Sequence, residues 1–102
     1  MPQKEFEIWL DATTRLLIRR DTRGGRLIEF AVVLLAFVDG EWIDIGRFDS
    51  AHGCPHEDIL GRKAGLLQKV WHDNLSYRQA YEWAILKFRN EYENIREQYL
   101  AH

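Results

Sequence analysis

The chain has one cysteine among its 102 residues, Cys54. An internal disulfide framework is therefore excluded, and a reducing, cytoplasmic setting is expected. Proline is nearly absent as well, with only Pro2 and Pro55, and no linker, repeat or low-complexity tract interrupts the sequence. Long apolar runs are missing. The longest, "FAVVLLAFV" from Phe30 to Val38, falls far short of the ~20 residues a membrane-spanning helix needs. The opening "MPQKEFEIW" lacks the apolar core of a signal peptide. Neither sign of charge dominates: 14 Lys and Arg stand against 16 Asp and Glu. That balance argues against a protein held to nucleic acid by bulk electrostatics, though it leaves room for a local basic patch.

What is present is ordinary globular chemistry in a single domain, residues 1–102. The aromatic load is high, with four Trp, four Tyr and five Phe, and rings in that number predict a surface for self-association.

The first half of the chain carries strand punctuation. "EFEIWL" alternates, with Phe6, Ile8 and Leu10 on one side and Glu5, Glu7 and Trp9 on the other. "RLLIRR" and "RLIEFAVVLLAFV" follow, separated by the Gly24-Gly25 pair, which supplies positive-φ residues for a hairpin. Asp39-Gly40 is a strong two-residue turn, and "EWIDIGRFDS" returns from it. "LLQKVW", Leu66 to Trp71, reads as a further short strand. From Ser76 onward, Tyr77, Tyr81, Ala84, Ile85, Phe88, Tyr92, Ile95 and Tyr99 recur at three- and four-residue steps, drawing one apolar stripe on a long helix. Ser76 with Gln79 forms a capping box at its start. The expected fold is α+β: an antiparallel meander of four to five strands with one long C-terminal helix packed on one face.

Counting back from an Asp39-Gly40 turn pairs Leu34 with Ile45, Val32 with Arg47 and Phe30 with Asp49. This register sends Arg47 and Asp49 to the helix-covered face, while Trp9, Trp42 and Phe48 share the other. A three-residue loop at Arg23 to Gly25 would also put Arg20 on the covered face, and a two-residue loop would turn it away. Gly53 and Pro55 break the ladder, so His52 to Asp58 is expected to be a loop at the sheet end.

"RFDSAHGCPHED", residues 47–58, is the one stretch dense in chemistry. His52 and His56 could act as base and acid on a phosphodiester, with Arg47 stabilising the charge on phosphoryl oxygens and Asp49 or Asp58 orienting an imidazole. That would be RNA cleavage through the 2′-hydroxyl, with neither metal nor other cofactor. Arg20, Arg62 and Lys63 are the expected substrate-binding cations, and "RGGR" at 23–26 could also meet phosphate. Two other readings stay open. The cluster could be structural, tying the loop to the sheet. Or His52, Cys54, His56 and Asp58, at every second position, could ligate zinc.

The same stretch resembles small bacterial and archaeal proteins of unknown function that carry an R-[FY]-D-x-A-H-G-x-P-H-x-D core. In those proteins an F-V-x-G-x-W hairpin precedes the core, here Phe37-Val38-Asp39-Gly40-Glu41-Trp42, and a final helix follows it. More loosely it is similar to the TumE family of toxin–antitoxin proteins. The likeness implies a toxin–antitoxin component acting on RNA through Arg47, Asp49, His52 and His56, with a cognate antitoxin protein as partner. The competing expectation is a homodimeric binding or regulatory module in which the cluster is structural.

Overall fold

The computed structural model describes residues 3–102, except for the side chain of His52. Six strands run in sequence order through one antiparallel sheet: β1 (Lys4–Asp11), β2 (Thr14–Arg23), β3 (Arg26–Val38), β4 (Glu41–Asp49), β5 (His56–Gly61) and β6 (Gly65–Trp71). One helix, α1 (Tyr77–Ala101), lies across one face. The α+β class and the C-terminal helix agree with the sequence reading, but the sheet has six strands rather than four to five. The added strand is β5. His52 to Asp58 is not a loop: a 3-10 turn (Ala51–Gly53) ends at Cys54, and His56 opens β5 opposite Asp49.

The core lies between the helix and the sheet. Leu16 and Ile18 of β2, Phe30, Val32, Leu34 and Ala36 of β3, and Ile45 and Phe48 of β4 are buried there beneath Ala80, Tyr81, Ala84 and Phe88 of α1. The remaining stripe residues Tyr77, Ile85, Tyr92, Ile95 and Tyr99 pack at its margin. The capping box forms as expected: the Ser76 hydroxyl accepts from the Gln79 N–H at 3.1 Å, and the Gln79 carboxamide accepts from the Ser76 N–H at 3.0 Å. Ser76→Ala should cost about 1 kcal/mol, readable as a lower midpoint of thermal unfolding with the helix otherwise retained. At the β1–β2 turn, burial pushes the Asp11 carboxyl up. Hydrogen bonds from Thr13 and Thr14, with Arg96 nearby, more than offset it and hold the group below its ordinary range.

Asp39 (φ 51°) and Gly40 (φ 83°) both adopt the left-handed turn conformation, and Phe37–Trp42 and Ala36–Ile43 pair as expected. The register then shifts. Leu35 lies opposite Asp44, but Leu34 lies opposite Gly46, leaving Ile45 as an extra residue in a β-bulge. Beyond the bulge Val33 faces Arg47, Val32 faces Phe48 and Ala31 faces Asp49. The expected pairings of Leu34 with Ile45, Val32 with Arg47 and Phe30 with Asp49 are overturned. Arg47 and Asp49 sit on the helix-free face, and Phe48 moves into the core with no exposed surface.

The energetics favour the bulge. Burying a guanidinium and a carboxylate under the helix costs several kcal/mol per ion. Burying Phe48 instead gains about 2–3 kcal/mol, against roughly 1 kcal/mol for one interrupted ladder bond. Gly46 lies directly under the helix: a Cβ there would touch the Phe88 ring at 3.4 Å, an ordinary packing contact.

A second bulge acts on Arg20. The β2–β3 turn is the two-residue Gly24-Gly25 form, with Arg23 opposite Arg26, but a shift at Asp21/Thr22 brings Arg20 opposite Phe30. Arg20 therefore lies on the helix-covered face even with the shorter turn.

Candidate functional site

On the helix-free face, β4, β5 and β6 carry one connected ionic cluster. Arg47, Asp58 and Lys69 are successive cross-strand neighbours, as are Asp49, His56 and Trp71. Asp58 Oδ2 lies 3.2 Å from an Arg47 guanidinium nitrogen, and Asp58 Oδ1 lies 3.0 Å from Lys69 Nζ. His56 Nε2 is 3.2 Å from Asp49 Oδ1 and 4.0 Å from Asp58 Oδ1, while Nδ1 is 3.1 Å from the Cys54 carbonyl oxygen. Both ring nitrogens thus face oxygen acceptors, and the protonated ring can donate to both. Asp49 Oδ1 also accepts from the Ala51 N–H at 3.0 Å, which fixes the chain as it leaves β4.

Burial within the cluster is uneven. The His56 side chain is 3% exposed and that of Asp58 8%, whereas Arg47 keeps 40% of its side-chain surface. The Trp71 ring stands over the imidazole at 4.9 Å between centroids, and Lys69 Nζ lies 5.6 Å from the same ring. The Asp58 carboxylate is thus held between cations on the two neighbouring strands, while Arg47, Lys69 and Asp49 keep part of their side-chain surface in solvent.

Of the residues singled out from sequence, the fold brings together Arg47, Asp49, His56 and Asp58. The side chain of His52 lies outside the described residues. Arg62 and Lys63 do not join the cluster. They form the β5–β6 turn, roughly 20 Å along the strand from His56. There Arg62 pairs with Asp39, and the Lys63 N–H donates to the His102 carbonyl. Arg20 is on the other face of the sheet. Among the described residues no three of His, Cys, Asp and Glu converge as a metal site. The Cys54 thiol instead lies 3.6 Å from the Pro55 carbonyl oxygen.

Lys69 and Trp71 were missed as members of the cluster. Their alternation along "LLQKVW" puts them on one face of a strand, but that signal has no meaning until β5 is recognised as the neighbour. Glu57 was missed too. It points to the helix side, where both its carboxylate oxygens lie 2.8 Å from Lys87 Nζ.

The remainder of the helix-free face is aromatic. Trp9 and Trp42 meet edge to face at 5.5 Å, Phe37 lies 5.4 Å from Trp42, and the Arg15 guanidinium stacks 4.4 Å over Trp42 while pairing with Glu7.

Such an open antiparallel meander with a single helix across one face defines an α+β domain of helix-on-sheet type. The chain belongs to the family of the domain of unknown function DUF7718, whose model matches residues 1–102. No curated protein and no solved structure matches it significantly. The match agrees with the expectation of a family of unknown function, and shows neither the R-[FY]-D-x-A-H motif nor the TumE likeness.

Proposed function

We propose that the chain is a non-catalytic binding module that dimerises by stacking the helix-free faces of two sheets. The ionic cluster braces that face. The observation that carries this reading is the exposure, on one face, of Trp9 at 56%, Phe37 at 45% and Trp71 at 51%. Large rings of this kind supply contact area at little entropic cost.

Charge supports a second copy as the occupant. The β1 end of the face carries Glu5 and also Glu7, which pairs with Arg15, and the β6 end carries Lys69, which pairs with Asp58. A two-fold axis parallel to the strands lays β1 of one copy over β6 of the other, so these opposite charges meet. Six strands spaced ~4.8 Å apart and ~25 Å long give a footprint on the order of 600 Å². This approaches the ~800 Å² per partner of a stable interface.

The reading of the chain as a ribonuclease toxin rests on the Arg47, Asp49, His52 and His56 cluster and the loose TumE likeness. It asks His56 to exchange protons with a substrate, yet both ring nitrogens already face protein acceptors and the ring is buried. Analytical ultracentrifugation at micromolar concentration should give a dimer, and Trp9→Glu with Trp71→Glu should give a monomer of unchanged helix content. A parent chain that stays monomeric removes the proposal. So does growth arrest with RNA loss on induced expression, if His56→Ala relieves it.

A further inference from the structure

On the opposite, helix-bearing face, at the end of the sheet formed by the β2–β3 turn, the structure assigns an anion site, and we propose that it takes a compact oligophosphate. A cleft of about 380 Å³ is lined there by Lys4, Arg20, Thr22, Gly25 and Arg78. It has three cations and no carboxylate in its wall. Among the described residues, the ion pairs involve Arg15, Arg47, His56, Arg62, Lys69, Lys87 and Arg96, and none of these three cations. Asp21, next along β2, alternates to the other face.

Several features of this corner are unfavourable without an anion. Lys4 and Arg20 stand directly opposite each other on β1 and β2, and like charges so placed repel. Arg23 and Arg26 repeat the arrangement at the hairpin tip. Arg78 lies in the first turn of α1, which holds no acidic residue, and a cation there opposes the helix dipole.

Arg20 is held for the role. Its guanidinium sits 5.8 Å from the Phe6 ring and 5.9 Å from the Tyr81 ring, and it donates to the Tyr81 hydroxyl at 3.5 Å. These contacts engage one edge of the group and leave other N–H donors for an oxyanion. An anion bridging Lys4, Arg20 and Arg78 would relieve the repulsions together.

The ligand class follows from shape. The three cations converge on one cleft rather than forming a stripe, so a di- or triphosphate group matches them better than an extended strand, whose backbone needs a row of contacts.

The site shares no residue with the proposed dimer face, so either reading can fail alone. The test is titration calorimetry of the full chain with inorganic tripolyphosphate. The parent should bind. Arg20→Gln and Arg78→Gln should each weaken binding at least tenfold, and Arg89→Gln, exposed further along α1, should bind like the parent. Arg78 is exposed, so Arg78→Gln reports on binding even if Arg20→Gln disturbs folding, and melting curves accompany each titration. Absence of binding by the parent overturns the assignment. So does an equal loss in Arg89→Gln, unchanged binding in Arg78→Gln, or tighter binding of an oligouridylate than of tripolyphosphate.

Discussion

Phe48→Ala is expected to lower the stability of the domain by about 4 kcal/mol, while Arg47→Ala, its neighbour, should cost about 1 kcal/mol or less. Phe48 has no exposed surface and stacks on Phe30 at 6.2 Å, with the rings of His72 and Trp83 at 5.1 Å and 5.5 Å. Truncation leaves a cavity among rings that cannot collapse into it. Arg47 is partly exposed and pairs with Asp58, so water replaces part of what it loses. A domain of this size has about 5–15 kcal/mol in total, and the Phe48 loss should move the unfolding midpoint down by about 15 °C or more. The bulge-free register makes the opposite forecast, with Phe48 on the surface and Arg47 buried. Chemical denaturation of the two variants therefore decides the register directly. A larger loss in Arg47→Ala than in Phe48→Ala would remove the bulge.

That comparison shows how far the sequence could be read. β1, β2 and β3 are legible because they alternate or run apolar between clear turns, and α1 because its stripe and capping box agree. The Asp39-Gly40 turn is legible for the same reason: its two residues are those that adopt positive φ readily. The register of β4 is not legible from the turn alone. A turn sets where pairing begins, but Ile45 and Gly46 are both buried in a bulge, which puts Phe48 rather than Arg47 and Asp49 under a helix some forty residues away. The signal available was Gly46 itself, a strand glycine that often marks a bulge or a close approach. β5 was hidden for another reason. "HEDILG" opens with three polar residues where a half-buried strand would alternate with apolar ones. Each has an ionic partner on another element: His56 has Asp49, Glu57 has Lys87, and Asp58 has Arg47 and Lys69. Polar residues that are buried in pairs look like a loop until their partners are known. The cluster was therefore found from its residue types, while its face and its outer members depended on tertiary packing.

The Arg47–Asp58–Lys69 row makes the second large forecast. Asp58→Ala should cost about 3 kcal/mol, at the low end of what removing one partner of a buried ion pair costs. The low end applies because Arg47 and Lys69 keep partial access to water, whereas the carboxylate itself is 8% exposed. Without it two cations are left on neighbouring strands, and His56 keeps only Asp49 as an anionic neighbour on this face among the described residues. The loss should be largely recovered when Arg47→Met and Lys69→Met are added to Asp58→Ala, because the cost comes from stranding the charges rather than from losing a strong bond. A structural brace predicts this recovery in thermal melts, together with retention of the dimer. If Asp58→Ala melts within about 0.5 kcal/mol of the parent, the row is screened by solvent and braces nothing. If the triple variant is no better than the single one, the charges contribute through specific hydrogen bonds that methionine cannot replace, and the face owes its rigidity to them.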